Sequence, residues 1–318
     1  MAGLTHAAIL YDGSGDRAGQ DLAWAGAVMR QAAADGYPVH VVVPGGTQGA
    51  LATAGGPIAS ARSDDMAELG RNPARIIPAG LSFLDEHPGQ HAFCLWEPAW
   101  PARSAAELHE VTRHEALVNI AFAGQPMTVA CLYDVSRLSR GLLRDARRTH
   151  PIVISGGLRQ ASDSYLGGVF PPGCDDPLSP AASDASYVTF DGHLGPVRDF
   201  SASQARAAGL DRTRTSDLVL AVSEIAANAL GHAGGGGVVR SWCTAGELVF
   251  QIEDAGFIAD PLAGRRRLPA EAAGGHGLWL VNRVCDLVER RSSADGTITR
   301  LHMRRPDSLK EPGNVPRL

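Results

Sequence analysis

Short runs of hydrophobic residues alternate with longer segments through the first half of the chain. The short runs, which are typical of buried strands, lie at residues 5–12, 38–44, 91–97, 127–134 and 150–155. The longer segments, which are predicted to be helical, lie at 17–35, 74–86, 103–122 and 137–148. Strands that alternate with helices in this way predict an α/β domain with a largely parallel sheet.

Residues 171–186 interrupt the alternation with a stretch rich in Pro, Asp, Ser and Ala that offers almost nothing to bury. Such a composition is typical of a linker between folded domains. The chain is therefore predicted to consist of a first domain at 1–170, this linker, and a second domain at 187–305. The polar tail at 306–318 contains further prolines and is predicted to be disordered.

The second domain has a different order of elements. Its predicted strands lie at 187–191, 238–244, 247–254 and 297–303, and its predicted helices lie at 194–208, 215–231 and 276–290. Because strands and helices do not alternate one by one, the helices are expected to cover one face of a mixed sheet. The second domain is therefore predicted to be an α+β sandwich.

The composition is that of an ordinary globular protein. Of 318 residues, 44% are hydrophobic and 20% are charged, which is enough apolar material for two domains. The net charge of −5, without a basic stripe, argues against direct binding of nucleic acid. No basic leader is present and no apolar run approaches the roughly 18 residues of a membrane span, so a cytoplasmic protein without a membrane partner is predicted.

Cysteine and lysine usage narrows the chemistry further. The five cysteines are scattered without a C-x-x-C pair, so we expect them to be reduced and mostly buried rather than bonded to each other or to zinc. The only lysine is Lys310. Its position in the tail excludes a phosphate-binding loop of the G-x-x-x-x-G-K-[ST] type.

The stretch AVSEIAANALGHA places three polar residues four apart within an apolar, helix-forming run. A step of four turns only about 40° around a helix, so Glu224, Asn228 and His232 share one edge. Polar groups beside a core lose hydration and need a partner, either from the protein or from a ligand. The apolar stripe next to this edge consists of Leu218, Val222, Ile225 and Ala229.

Later pieces of the sequence suit a nucleotide as that ligand. Asp254 ends an apolar strand, where a carboxylate can accept a hydrogen bond from an exocyclic amine, and Gly256 lets the backbone approach a flat base. The glycines within 274–277 precede a helix and expose backbone N–H groups that bind phosphates. With such a ligand, the Asn228 amide oxygen is suited to bind Mg²⁺, and the Glu224 carboxylate is suited to orient or deprotonate an attacking group.

The ordered set E-x-x-x-N, D-x-G, G-x-G-L and G-T resembles the GHKL (Bergerat-fold) ATPase superfamily, and within it the anti-sigma factor serine/threonine kinases, over 187–305. The resemblance implies that ATP and Mg²⁺ are cofactors. It also implies that Asn228 holds Mg²⁺, that Glu224 is the general base and that Asp254 reads the adenine amine. The other positions that it assigns to the nucleotide pocket are His232, Gly256, Gly275, His276, Gly277, Leu278, Thr297 and Thr299.

The chain departs from the superfamily pattern in the lid between Gly256 and the glycines of 274–277. Ile258 stands where a second glycine is common, and the short lid carries arginines at 265–267. We expect these arginines to form a solvated loop rather than to contact phosphate. Two interpretations of His276 stay open, a phosphate contact and an exposed loop side chain.

Motifs in the first domain resemble the MEDS (DcmR-like) sensory domain. They lie at 5–12, 71–78, 95–100, 113–122, 131–134 and 146–151. A MEDS domain paired with a kinase-like module resembles regulators of the RsbA type. The resemblance implies that the first domain senses a small, poorly polar molecule.

One helical segment of the first domain contains two histidines and two glutamates, at residues 109, 110, 114 and 115. A zinc-binding helix needs two histidines four apart, whereas His109 and His114 are five apart and point about 140° away from each other. A solvated helix face is therefore favoured over a metal site on this segment.

Residues near two strand ends of the first domain have alternative interpretations. Glu97, beside Trp96 and Trp100, either lines a sensor pocket or belongs to the core, and the core is commoner for aromatic residues at such positions. The same alternatives apply to Tyr133 and Asp134.

Together these features predict an anti-sigma regulatory protein that phosphorylates Ser or Thr of an anti-anti-sigma (STAS-type) partner and binds a sigma factor. A second hypothesis is a non-catalytic switch in which ATP only tunes the affinity for a partner. A sensor histidine kinase is disfavoured because no long helical hairpin with an exposed His precedes residue 187. A nucleotide module that has lost ATP binding is a further alternative, and the sequence leaves formation of a homodimer open.

Overall fold

The computed structural model describes residues 3–14, 18–232, 235–266 and 275–306. The chain divides into two compact units, Met1–Asp175 and Asp176–Leu318. Among the described helices, each is too short or too polar to cross a bilayer.

The sheet of the first unit has the strand order β3-β2-β4-β5-β1-β6-β7. Neighbouring strands are parallel from β3 through β6, and β7 pairs with β6 in the antiparallel sense. The prediction of an α/β domain with a largely parallel sheet is therefore confirmed. The strands are β1 (Thr5–Tyr11), β2 (Val39–Val43), β3 (Arg62–Asp65), β4 (Ala92–Trp96), β5 (Met127–Asp134), β6 (Ile152–Ser155) and β7 (Leu158–Ala161).

The helices of this unit connect the parallel strands. They are α1 (Ala18–Ala34), α2 (Gly45–Gly55), α3 (Met66–Leu69), α4 (Ile76–Asp85), α5 (Ala105–Ala121) and α6 (Arg140–Thr149). The sequence missed α2 because GGTQGALATAG is dominated by small residues without a clear apolar period. It also missed β3 and β7, which are polar and mostly exposed and take their shape from pairing with a neighbouring strand.

Helix α5 is packed on all sides, so the prediction of a solvated face is wrong. Glu110, His114 and Glu115 are only 2%, 0% and 1% exposed. The helix lies against α4, α6 and the turn Pro73–Arg75. Polar partners take the place of water along it: for example, His109 and Arg113 both donate to the carbonyl of Cys174.

The segment predicted to be a linker has irregular backbone until β8 begins at Ser186. It is nevertheless anchored to the folded units. Within the first unit, Cys174 is buried, its carbonyl accepts the two hydrogen bonds from α5, and Arg113 forms an ion pair with Asp175. Within the second unit, the Arg300 guanidinium donates to the carbonyl of Ser179.

The second unit is an α+β sandwich, as predicted, but its described strand pairings are all antiparallel, so the predicted mixed sheet is wrong. The strand order is β11-β12-β10-β9-β8. The apolar faces of the helices and the sheet share one core. The elements are β8 (Ser186–Phe190), α7 (Gly195–Ala207), α8 (Arg212–His232), β9 (Gly237–Cys243), β10 (Glu247–Asp254), α9 (His276–Val284), β11 (Leu287–Ser293) and β12 (Gly296–Arg304).

The predicted helix 276–290 is wrong in its second half, because α9 ends at Val284 and residues 287–293 form β11. Cys285 already has extended backbone, with φ −86° and ψ 148°. Asp286 then forms an ion pair with Arg214, and its backbone N–H donates to a carbonyl on β12. Antiparallel pairing with β12, which local sequence does not reveal, decides the structure here.

Candidate functional site

The polar edge of α8 borders the core, as the sequence predicts. Leu218, Val222, Ile225 and Ala229 are buried, whereas Glu224 and Asn228 are half-buried beside them. Neither of these two polar side chains has a hydrogen-bond partner within the part of the chain that the structure describes. The need for a partner is therefore not met by a polar network of described residues, which leaves a ligand or solvent to meet it.

A cavity of about 360 Å³ lies between α8, the loop after β10, the start of α9 and β12. Its volume is within the range of small-molecule sites. Seven of the residues that the sequence assigned to a nucleotide pocket line this cavity: Asn228, Asp254, Gly256, Gly275, Leu278, Thr297 and Thr299. The sequence missed other lining residues, namely Ile225, Ala229, Phe257, Ala259 and Asp260, and Ile258 lines it as well.

Asp254 presents a carboxylate to the cavity at the end of β10. One of its oxygens accepts a hydrogen bond of 2.7 Å from the backbone N–H of Gly256, which shapes the following loop. Burial raises the pKa of Asp254, and the Gly256 hydrogen bond partly offsets this effect. The second oxygen has no partner among the described residues and can accept a hydrogen bond from a ligand amine.

The Gly-Thr pair at the start of β12 holds that loop in place. The Thr297 hydroxyl donates to the carbonyl of Gly256 at 2.8 Å and lies 2.7 Å from the Ser292 hydroxyl, which in turn accepts from the backbone N–H of Ile258. Gly296 has a φ of 129°, and a Cβ there would collide with the carbonyl of Asp254. Only glycine therefore lets β12 begin so close to the D-x-G loop.

The first turn of α9 faces Glu224. Gly275 caps the helix in the left-handed conformation, with φ 85° and ψ 0°, and His276 follows as a half-buried first residue. A Cβ on Gly277 would lie 2.5 Å from Oε2 of Glu224. The absence of a side chain at Gly277 therefore leaves room for the Glu224 carboxylate to lie against the helix. Free backbone N–H groups at this helix start form a site suited to an anion.

Glu224 does not line the cavity that contains Asn228. It lies one helical turn earlier, where it lines a groove between α7 and α8 together with Arg198 and Arg206. The structure thus separates the predicted base from the enclosed part of the pocket and places it beside the start of α9. The side chain of His232 lies outside the described residues, as does Gly274.

The lid also differs in part from the prediction. Arg265 is buried, with 6% exposure, rather than solvated, whereas Arg266 is exposed and Arg267 lies outside the described residues. The described part of the lid is pinned to the fold by side chains that donate to its carbonyls, from Asn282 to Gly264 and from Arg290 to Ala263. Phe257 is 64% exposed and lies beside the cavity. The sequence signal for this position was its place directly after the D-x-G motif.

The first unit contains a separate cavity of about 630 Å³ near the carboxyl ends of β1, β2, β4 and β5. Ligands of parallel sheets commonly bind at this edge. Tyr11 donates to Glu97 at 2.8 Å, and burial raises the pKa of Glu97 to about 7. Glu97, Trp100 and Asp134 line the cavity, whereas Trp96 and Tyr133 are buried in the interior.

Comparison with known proteins assigns both units. Residues 189–303 match the histidine kinase-like ATPase domain, and residues 5–151 match MEDS, the methanogen/methylotroph DcmR sensory domain. No curated protein matches the chain. Among solved structures, the RsbU and RsbW domains of Rv1364c from Mycobacterium tuberculosis are similar, with 21% identity over 39% of this chain and 33% of that chain and a TM-score of 0.29. The chain therefore has a region similar to the MEDS sensory domain followed by a region similar to the histidine kinase-like ATPase domain.

Proposed function

We propose that the second unit binds ATP with Mg²⁺ and phosphorylates a Ser or Thr of an anti-anti-sigma (STAS-type) partner, and that it also binds a sigma factor. The match to an ATPase domain implies ATP binding. The observation that carries the proposal is that Asn228 and one carboxylate oxygen of Asp254 line the same cavity without a hydrogen-bond partner among the described residues. The choice of acceptor protein rests on the sequence resemblance to anti-sigma factor kinases.

The base of the nucleotide would occupy the Asp254 end of the cavity. The free carboxylate oxygen accepts from the exocyclic amine of adenine, while Leu278 and Ile225 supply apolar contact with the ring. Thr299 lines the same region and offers a hydroxyl. A guanine base presents a carbonyl where adenine has its amine, so this end favours ATP.

The phosphates would lie between Asn228 and the start of α9. The amide oxygen of Asn228 is a hard ligand suited to Mg²⁺, and the helix start supplies backbone N–H groups to phosphate oxygens. Glu224, which lies against Gly277 at this same helix start, would accept the proton of an attacking hydroxyl. Its location toward the groove of α7 and α8 leaves room for a protein substrate to approach.

The first unit would control this activity by binding a small, poorly polar molecule in the cavity lined by Trp100 and Glu97. Apolar lining residues such as Leu22 and Ala50 suit such a ligand. A carboxyl with a pKa of about 7 is partly protonated near neutral pH, which lowers the cost of placing an apolar ligand beside it.

The test is phosphate transfer by the full chain from ATP labelled in its γ-phosphate to STAS-type proteins of the source organism. We expect Mg²⁺-dependent label on Ser or Thr of one such protein. The Glu224→Gln variant should retain ATP binding and lose about 100-fold or more in transfer rate, as is typical when a general base is removed. Glu253→Gln, on the neighbouring strand β10, serves as the matched control.

The same experiment separates the kinase from a non-catalytic switch. If ATP changes the affinity for the partner but no phosphoprotein forms, the switch is correct and the kinase proposal fails. Unchanged transfer by Glu224→Gln would remove the role proposed for this carboxylate.

A further inference from the structure

Four side chains with metal-binding atoms meet in the interior of the first unit. They are His6, Glu115, Cys131 and His150, and their ligand atoms all lie within 4.8 Å of one another. Each residue is at most 1% exposed. The cluster shares no residue with the cavity beside Glu97. The ATPase activity proposed above makes no use of it.

The fold brings these residues together from distant parts of the sequence. His6 on β1 is aligned with Val129 on β5, so Cys131 is the next residue of β5 on the same face of the sheet. Glu115 comes from α5, which packs over that face, and His150 directly follows α6. Because 144 residues separate His6 from His150, no short motif in the sequence marks the site.

Hydrogen bonds at the rear of both imidazoles orient their front nitrogens toward the centre. The Asn119 amide donates to the carbonyl of Thr149, which turns its oxygen toward His6 and makes Nδ1 of His6 the donor at 3.0 Å. Nδ1 of His150 donates to the carbonyl of Ala146 at 2.7 Å. In the neutral form, both Nε2 atoms therefore carry a lone pair that faces the cluster.

The centre of the cluster consequently holds an excess of acceptors. Two Nε2 lone pairs and a carboxylate oxygen face one another, and the Cys131 thiol is the one donor among the four groups, directed at Glu115 at 3.4 Å. Nε2 of His150 has no hydrogen-bond partner among the described residues. The other Glu115 oxygen is already occupied, because the Tyr133 hydroxyl donates to it at 2.9 Å. A cation at the centre would satisfy these buried acceptors, with the proton of the Cys131 thiol released as the sulfur becomes a ligand.

We propose that this cluster binds one Zn²⁺ ion through Nε2 of His6, Oε2 of Glu115, Sγ of Cys131 and Nε2 of His150. Usual zinc bond lengths give ligand–ligand separations of about 3.4 to 3.6 Å in a tetrahedron. Four of the six separations in the cluster are close to this value, and the two that join His150 to His6 and to Cys131 are within 4.8 Å. The structure has 3.1 Å from His6 to Glu115, 3.4 Å from Cys131 to Glu115, 3.4 Å from His150 to Glu115 and 3.7 Å from Cys131 to His6.

The donor set selects the type of metal. Two imidazoles, a thiolate and one carboxylate oxygen suit a borderline-soft ion such as Zn²⁺ and disfavour Mg²⁺ or Ca²⁺, which prefer oxygen. Four protein ligands leave no open position for substrate, so the site is structural and ties together β1, β5, α5 and the end of α6. Asn119, Ala146 and Tyr133 form the outer shell that orients the ligands. Cys131 thereby differs from Cys94, Cys174 and Cys285, which are buried as expected, and from Cys243, which is exposed.

The first test is metal content of the full chain, purified after expression with zinc and, separately, with cobalt. We expect about one metal ion per chain. The cobalt protein should show strong visible absorption of tetrahedral Co²⁺ together with a thiolate-to-cobalt band in the near ultraviolet. Neither measurement requires a variant, so both stand even if a substitution prevents folding.

Matched variants then test the assigned ligands. Cys131→Ala should lose the thiolate band and most of the metal, whereas Cys94→Ala, which removes an equally buried thiol from the neighbouring strand β4, should keep both. Asn119→Ala removes only an orienting hydrogen bond and should weaken zinc binding by about 10- to 100-fold.

The proposal is overturned if the wild-type chain contains neither zinc nor cobalt. It is also overturned if Cys131→Ala and Cys94→Ala retain the same metal content and the same cobalt spectrum. In either case a proton shared by His6, Glu115 and His150 would be the cation of the cluster. ATP binding by the second unit is measured separately, so failure of one proposal is distinguishable from failure of the other.

Discussion

The two units contain polar constellations that differ in how far the protein satisfies them. In the second unit, Asn228 and Asp254 face an open cavity with acceptor atoms that no described residue pairs. In the first unit, His6, Glu115, Cys131 and His150 are enclosed and oriented by hydrogen bonds at their rear. An open site with free acceptors suits a ligand that exchanges, whereas an enclosed one suits an ion that is retained with the fold.

The largest expected effect tests the close approach of α9 to Glu224. In Gly277→Ala, the added methyl group meets the Glu224 carboxylate and displaces it. Because a misplacement of about 1 Å can reduce a rate about 100-fold, we expect phosphate transfer to fall by that factor. Gly231→Ala, on α8 with open space around its Cβ position, is the control and should leave the rate unchanged.

A smaller effect is expected at the end of the cavity that would bind the adenine ring. Asp254→Asn replaces a carboxylate oxygen by an amide and should reduce the preference for ATP over GTP by about 10-fold, the value of one hydrogen bond to a charged group. Competition binding of the two nucleotides measures the preference. The control is Asp260→Asn, which removes the same charge elsewhere in the lining; equal loss in both variants would refute specific recognition by Asp254.

His302 in the second unit is also a buried histidine that contacts carboxylates. Its hydrogen-bond partners among the described residues do not include a cysteine or a second histidine, unlike those in the cluster of the first unit. Burial alone would lower its pKa, but hydrogen bonds to Glu247 and Glu289 raise the pKa to about 9. Because the pKa in the unfolded chain is about 6.5, the stabilisation is complete below that pH and is lost as the pH rises through about 9. The unfolding temperature of the second unit should therefore fall by roughly 5 to 10 °C over this interval.

Scanning calorimetry of the full chain between pH 6 and pH 10 measures this dependence. The His302→Gln variant should unfold at a lower temperature near pH 6 and should lack the decline. A wild-type profile as flat as that of the variant would show that His302 does not titrate in this interval.

The smallest expected effect separates structural from ligand-binding hydroxyls. Thr297→Val removes the hydrogen bonds to Gly256 and Ser292 and should lower the free energy of unfolding by about 1 to 2 kcal/mol. Thr299→Val should reduce ATP affinity a few-fold with little change in stability, because its hydroxyl has no hydrogen-bond partner among the described residues. Denaturant titration and ATP binding distinguish the two; identical profiles would contradict the assignment.

The contrast between the units also explains what could be predicted from the sequence. The nucleotide residues lie in short motifs at strand ends and helix starts, so these motifs and the family resemblance that they carry identify seven of the thirteen residues that line the cavity. The positions of Glu224 outside that cavity and of β11 after α9 depend on tertiary packing, which spacing does not encode. The metal cluster is formed by single residues on β1, α5, β5 and the end of α6, so only the assembled sheet reveals it.

The same limitation explains the errors on α5. The sequence predicts that its two histidines do not bind one metal together, since they are five residues apart. The sequence could not show that Glu115 meets His6 and His150 instead, because those contacts depend on parallel pairing of β1 with β5 and on the packing of α6. A helix rich in charged residues is therefore poor evidence for a solvated face when it covers a parallel sheet on one side and other helices on the other.

The most direct test of the nucleotide site is calorimetric titration of the full chain with Mg²⁺-ATP, with Asn228→Ala as the variant and Asp217→Ala, on a half-buried position of α8 outside the cavity, as the control. We predict saturable binding that requires Mg²⁺, that is unchanged in Asp217→Ala and that weakens about 100-fold in Asn228→Ala, because the amide oxygen that holds the ion is lost. Absence of binding by the wild-type chain, or equal affinity in Asn228→Ala, would contradict the account.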